Sequence, residues 1–277
     1  MTKYKMISCD LDETLLNDDK VVGKENVEAI QAAVKKGVIF VPNTGRGFKL
    51  IKKTLDELHL TNKKDEYVVS FNGSAITENY QDRVIAKTQM NFQEIDDLFR
   101  IGLKNRATMH VYTLTDIYIY NMDEDEREYV NKMGFPYHEL KEPSITFLKN
   151  QPLMKILFED KDRENLDDIR SQIPQQIIDG TTTTYSSNRY MEFNKKGVNK
   201  SKGLIELADL LHIEPKEIIA IGDNMNDFSM IQSAGMGVAV ANAIPEIKDV
   251  ANYVTYNNHN HGAIAEAIKK LILSDNE

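Results

Sequence analysis

The chain has a single cysteine, Cys9, so it can form no internal disulfide, and its first residues, Met-Thr-Lys-Tyr-Lys-Met-Ile-Ser-Cys, contain no signal-peptide hydrophobic stretch. Both absences predict a protein of the reducing cytoplasm. No apolar run approaches the roughly 20 residues needed to span a bilayer, so a soluble protein without a membrane partner is expected. Positive charge is short as well: 34 Lys and Arg against 43 Asp and Glu give a formal charge of -9. That balance argues against a nucleic-acid partner, because neutralising a phosphate backbone needs a concentrated basic face. A small anionic substrate stays open, since one local cation can overcome the global field. Repeats, low-complexity tracts and long linkers are also missing, and no pattern specifies an oligomeric state. What is present is an apolar fraction of 41% in 277 residues, enough to bury one large or two modest cores.

The apolar residues are arranged in two textures. Lys5 to Cys9 is a short apolar run that stops at charged Asp10, the pattern of a buried strand whose carboxyl end reaches solvent. Val27, Ile30, Ala33 and Val34 then recur at helical spacing, and Gly37 stands where a left-handed helix cap is wanted. Val38 to Val41, a helix over Phe48 to Leu58, and the strand Tyr67 to Phe71 continue the alternation. It returns near the other end, where a helix around Lys202 to Leu211 leads into Ile218 to Ile221, then helix, then Gly237 to Val240, then helix. Continuous apolar strands alternating with helices imply an α/β, doubly wound core with a parallel sheet. Between these blocks, Ala75-Ile76 and Val84-Ile85 read as a hairpin, Asp116 to Tyr120 alternates as a half-solvated antiparallel strand, and Thr181 to Thr184 reads as strand. Helices are expected over Phe92 to Leu103 and Arg163 to Ile173. This texture defines an inserted α+β domain over 84–187, leaving 1–83 plus 188–277 as the core.

Carboxylates gather at the predicted strand ends. Asp10 and Asp12, two apart beyond a strand, aim to one side of an extended backbone, towards the sheet edge where ligands of open α/β sheets bind. Alone, the pair reads equally as a solvated turn. Pro42-Asn43-Thr44-Gly45-Arg46 supplies a hydroxyl, a glycine that lets backbone amides approach an anion, and helix-start donors; on its own it is also a polar loop with a capping threonine. Gly222-Asp223-Asn224-Met225-Asn226-Asp227 places more carboxylates after an apolar strand, without the spacing of an EF-hand. Lys200, in a polar stretch before a helix, reads blind as a surface lysine. Three carboxylates and a phosphate need a divalent cation and a protein cation beside them, and phosphoryl transfer depends on positioning and charge stabilisation.

In this order the pieces resemble the haloacid dehalogenase superfamily: Asp10-Leu11-Asp12-Glu13-Thr14, then Thr44-Gly45-Arg46, Lys200, and the Asp223 to Asp227 run. Asn72-Gly73-Ser74, Gly197-Val198-Asn199-Lys200 and Asn242-Ala243 bring the resemblance closer to the Cof-type phosphatases with a type IIB cap, over nearly the whole chain. It implies a Rossmann-like core closed by an α+β cap that excludes water and reads the leaving group. It implies Asp10 as nucleophile through an aspartyl-phosphate, and Asp12 as general acid and base. Mg²⁺ would be held by Asp10, the Asp12 backbone carbonyl and Asp223. Leu11, Thr44, Gly45, Lys200 and Asn226 would contact the phosphoryl group, with Thr14, Arg46 and Asp227 in support and Asn72 a possible contact with substrate or cap. Asn43 departs from the small residue usual before Thr-Gly-Arg, and Ser201 from the glycine usual after the lysine.

The activity implied is hydrolysis of small phosphorylated metabolites, with sugar phosphates foremost and nucleotide, flavin mononucleotide or pyridoxal phosphate open. A phosphomutase or phosphotransferase is the rival enzyme, separable by product analysis with a second acceptor. A phosphometabolite-binding regulator is the rival of another class. Elsewhere, His259 and His261 read as loop residues before a helix, and His110 as a structural strand residue. Asp123 to Glu126 reads as a solvated helix start, and Cys9 as buried and inert.

Overall fold

The computed structural model describes residues 3–186 and 189–274. In chain order the elements begin with β1 (Met6–Cys9), α1 (Lys24–Lys35), β2 (Ile39–Pro42), α2 (Lys52–Glu57), β3 (Tyr67–Ser70), β4 (Ala75–Glu78) and β5 (Arg83–Lys87). Next come α3 (Phe92–Asn105), β6 (Thr108–Thr113), β7 (Ile117–Tyr120), α4 (Glu124–Met133), β8 (His138–Leu140), β9 (Leu153–Glu159), α5 (Arg163–Ser171), α6 (Gln175–Gly180), β10 (Thr181–Ser186) and β11 (Tyr190–Lys195). The last stretch runs α7 (Lys200–Leu210), β12 (Ile218–Gly222), α8 (Phe228–Ser233), β13 (Met236–Ala239), α9 (Pro245–Val250), β14 (Tyr253–Val254) and α10 (Ala263–Ile268).

Contacts divide the chain into two units: residues to Lys87 together with those from Asn199 on, and Thr88–Val198 between them. The divisions fall at 87/88 and 198/199, not at the 83/84 and 187/188 expected from texture. Two pairings explain the difference. β5 is hydrogen-bonded to β4, which keeps it with the first unit. β11 lies between β9 and β10, which keeps it with the second.

In the first unit the sheet runs β14-β13-β12-β1-β2, all parallel, with β1 between β2 and β12. All four β1 residues are buried, as are all five of β12, and apart from Ser8 and Gly222 their side chains are apolar, as suits a sheet covered on both faces. β3 continues past β2: Val69 bridges Asn43 in parallel register, and its carbonyl accepts the Thr44 N–H at 2.9 Å. β3, β4 and β5 then form an antiparallel meander. The strand expected over Tyr67 to Phe71 ends at Ser70, since Phe71 and Asn72 both take left-handed backbone angles (φ 52° and 56°). That turn is locked from outside. Phe71 N–H donates to the Arg46 carbonyl at 3.1 Å and Asn72 N–H to the Thr44 carbonyl at 3.0 Å.

The second unit has a sheet in the order β10-β11-β9-β6-β7-β8, antiparallel except at β7 and β8. One face carries Met109, Val111, Ile156, Phe158, Met191 and Phe193, packed with Ile95, Leu98 and Phe99 of α3 and Leu166 and Ile169 of α5. Among the alternate residues, His110, Lys155, Glu159, Glu192 and Asn194 are polar yet buried. Lys155 pairs with Glu192. α4 does begin at Asp123, whose side chain caps the Glu126 N–H at 2.8 Å, but Glu126 is not solvated. It is fully buried, 3.1 Å from His110 Nε2, 2.8 Å from Arg189 and accepting from the Tyr190 hydroxyl at 2.7 Å. A buried carboxylate needs such partners.

Close backbone approaches fix α7 against the β3–β4 turn. A Cβ on Gly73, whose φ is +94°, would lie 2.1 Å from the Asn199 carbonyl oxygen, and one on Gly203 would lie 2.7 Å from Gly73 Cα. Gly73→Ala is therefore expected to destabilise the protein by about 2–3 kcal/mol, through backbone strain and overpacking together. Urea unfolding checks this, and a wild-type midpoint would contradict it.

Candidate active site

Five segments reach one end of the parallel sheet. Asp10 follows β1 directly and its N–H donates to the Ile221 carbonyl at 3.0 Å, so the first carboxylate stands beside the end of β12. The chain then turns tightly: the Leu11 carbonyl accepts from Leu15 and Leu16 N–H at 3.0 and 2.8 Å. Thr14, carried inward by that turn, donates its hydroxyl to Asp223 Oδ1 at 2.7 Å. Lys200 is the first residue of α7, whose start is capped by Asn199 accepting from Lys202 N–H at 2.9 Å. Its side chain is fully buried, and Nζ donates to both Asp10 Oδ1 and Asp227 Oδ1.

Asp227 sits deeper than a supporting residue need do. Its Oδ2 accepts from the backbone N–H groups of Asp223 and Asn224 at 2.9 and 3.2 Å. Gly222 permits this, since a Cβ there would lie 2.5 Å from Asp227 side-chain atoms. Asp10, Asp223 and Asp227, all buried, each offer a carboxylate oxygen, and these lie within 4.8 Å of one another. Three ionised carboxylates against one ammonium would leave two negative charges in a low-dielectric site, and an all-oxygen donor set of that charge fits a hard divalent cation. The Asp12 side chain is outside this triad.

Electrostatics follow from the same packing. Burial, opposed by Lys200 and reinforced by Asp227 and Asp12, pushes the Asp10 carboxyl up to about 7. Burial, with Asp10 and Asp227 adding to it, raises Asp223 well above the carboxylate range. Burial works against the Lys200 ammonium, but Asp10 and Asp227 more than offset it and its pKa rises. Asp12 is the opposite case. Desolvation is outweighed by Arg46, whose Nε and Nη2 grip both carboxylate oxygens at 2.8 and 2.5 Å, and by Lys20 at 3.3 Å, so its pKa is lowered. Cys9 is buried with its thiol pKa raised by burial first and the neighbouring carboxylates second.

The phosphate-loop candidates are contiguous with this cluster. Thr44 is buried, its hydroxyl accepting the Arg46 N–H at 3.1 Å. Gly45 lies against Asn72, where a Cβ would meet Asn72 Oδ1 at 3.1 Å. Asn226 is half-buried in the turn Met225–Asp227. Three participants had not been expected from the sequence. Lys20 reaches Asp12 from eight residues along a loop, a distance with no local pattern to reveal it. Asn43, noted only as a departure, is fully buried and donates to Ser8 Oγ at 3.2 Å and to the Lys200 carbonyl at 3.0 Å. His259 pairs with Asp18 at 2.9 Å.

Residues 7–268 match the family model of haloacid dehalogenase-like hydrolases. The chain belongs to that family. It is 34% identical to a putative phosphatase, YxeH, of Bacillus subtilis, over 98% of this chain and 99% of that one. It is 27% identical to the B. subtilis 5-amino-6-(5-phospho-D-ribitylamino)uracil phosphatase YcsE, over 97% and 96% of the two chains. A solved structure of the subclass IIB sugar phosphatase BT4131 superposes with a TM-score of 0.82 at 22% identity, covering 96% of this chain and 98% of that one. That likeness concerns the fold, and it agrees with a parallel-sheet core carrying an inserted type IIB cap unit.

Because the folded-state pKa of Asp10 lies above its unfolded value, its contribution to stability is present below about pH 4 and lost as pH rises through about 7. In chelator-treated protein, Asp10→Asn should therefore raise the Tm relative to wild type at and above about pH 7, with the gap closing towards about pH 4. A saturating divalent cation should narrow the gap at neutral pH by stabilising the wild type. Calorimetry across that range, with and without the ion, is the check.

Proposed function

We propose that this protein is a Mg²⁺-dependent phosphatase of small phosphorylated metabolites, working through an aspartyl-phosphate on Asp10. The observation that carries the reading is the fully buried Lys200 ammonium shared between Asp10 and Asp227, with Asp223 completing an oxygen cluster. Such a cluster is costly to bury for structure alone and is suited to receiving a doubly charged phosphate together with a dication.

The ion, held by Asp10, Asp223 and the Asp12 carbonyl with Asp227 close by, would offset charge on the transferred phosphoryl group. Lys200 fixes the Asp10 carboxylate so that one oxygen attacks phosphorus in line as the bond to the leaving oxygen breaks. Asp12 delivers a proton to that oxygen. It then takes one from the water that attacks the aspartyl-phosphate, and inorganic phosphate leaves with Asp10 regenerated. Arg46 and Lys20 lower the Asp12 pKa, so the donor role requires the two Arg46 contacts to be released when a phosphate draws on Arg46, with Lys20 keeping its hold on Oδ1. Thr44, Gly45 and Asn226 fit the cradle of the phosphoryl oxygens, with Leu11 contributing its amide. Sugar and sugar-alcohol monoesters are the foremost substrates, a class to which the phosphoribityl group named for the YcsE relative belongs.

Phosphate release from a broad monoester panel with Mg²⁺ tests the reading. Asp10→Asn should lower kcat/KM at least a thousandfold, about 4 kcal/mol of transition-state stabilisation, and chelation should abolish turnover reversibly. A panel on which no monoester is hydrolysed, with Asp10→Asn indistinguishable from wild type, would refute it.

A further inference from the structure

The loop after Asp10 is held on its far side by residues from the opposite end of the chain. Both carboxylate oxygens of Asp18 are engaged: Oδ1 by His259 Nε2 at 2.9 Å and Oδ2 by Asn260 Nδ2 at 3.0 Å. Asp18 N–H donates to Asn260 Oδ1 at 3.0 Å, so Asn260 grips backbone and side chain together. Earlier in the same loop, the Glu13 carbonyl accepts from Asn242 Nδ2 at 2.7 Å. Asn242 Oδ1 in turn accepts the His259 N–H at 3.1 Å, which joins these contacts into one clasp.

The loop transmits that hold. Asn17 and Val21 close it with Asn17 N–H to the Val21 carbonyl at 3.1 Å and Val21 N–H to Asn17 Oδ1 at 3.1 Å. Lys20 N–H donates to the Asn17 carbonyl at 2.8 Å, and Glu13 and Lys20 both take left-handed angles, φ 59° and 58°. From there Lys20 Nζ reaches Asp12 Oδ1 at 3.3 Å. The Asp18 side chain is 78% exposed, and exposed ion pairs add little to global stability. So many contacts converging on one short loop act through placement instead.

We propose that His259, Asn260 and Asn242 are positioning residues: through Asp18 and Glu13 they fix the Glu13 to Val21 loop so that Lys20 places the Asp12 carboxylate for proton delivery. This rests on the reading of Asp12 as the proton donor. Their influence is on the leaving group, since an alkoxide needs a proton at bond cleavage and a nitrophenolate does not. Loosening the clasp therefore penalises alkyl monoesters selectively.

The test compares kcat/KM, which reports the phosphorylation step, for glycerol phosphate and p-nitrophenyl phosphate in Mg²⁺-saturated full-length protein. In Asp18→Ala and His259→Ala the alkyl-to-aryl ratio should fall about tenfold, part of the hundredfold or more a general acid supplies. The double variant should be no worse than either single one, and His259→Gln, which keeps a donor for Asp18, should restore the ratio. A wild-type ratio in both alanine variants, while Asp12→Asn loses alkyl turnover selectively, overturns the proposal and leaves the mechanism standing. An Asp12→Asn variant with no selective loss overturns both. If activity and Tm fall together for both substrates and His259→Gln does not restore the ratio, the clasp is structural and the proposal fails.

Discussion

The buried ammonium of Lys200 is the interaction on which the rest of the site depends. It lies between Asp10 and Asp227, carboxylates from two different strand ends, and a third, Asp223, is hydrogen-bonded to Thr14. Taking away that ammonium would leave buried carboxylates uncompensated, at a cost of about 3–5 kcal/mol. A lysine in that place cannot wander. Its stem is enclosed, its backbone carbonyl is bonded to Asn43, and its helix starts where Asn199 caps it.

Three glycines make this geometry possible by letting backbone come where a side chain would not fit. Gly73 and Gly203 bring the turn after β3 onto α7, and Gly222 lets Asp227 fold back under the end of β12. The consequence is a division of labour between neighbouring carboxylates. Asp10, Asp223 and Asp227 share a site with too little positive charge, whereas Asp12, two residues from Asp10, is saturated with it by Arg46 and Lys20. Environments that push adjacent acids apart are a hallmark of acid–base and nucleophile assignments.

Much of this was legible in the sequence. The parallel core followed from unbroken apolar strands alternating with helices, and Asp10, Thr44 and Asp223 stood just past predicted strand ends, whereas Lys200 taken alone read as a surface lysine. What escaped was what distant partners impose. Phe71 is left-handed because Arg46 and Thr44 hold the following turn, and nothing in Phe-Asn-Gly reports those bonds. Glu126 looked like one of four equivalent acids at a helix start, yet it is the one that turns inward to His110, Arg189 and Tyr190. Lys20 and Asn43 belong to the same class. Their partners are a loop or a sheet away, and side-chain reach is not written in local periodicity.

The order of β1 in its sheet also bears on how the molecule comes into being. Ile7 pairs with Phe40 on one side and Ile219 on the other, so the central strand stays half-bonded until more than two hundred further residues have been synthesised. The unit from Thr88 to Val198 is unbroken in sequence and carries its own apolar cluster, so it can close while the ribosome is still at work. The first unit must then wait, with the β12-facing edge of β1 open to wrong partners. For this chain the hazard of misassembly is concentrated early in synthesis and in the residues that later carry the nucleophile.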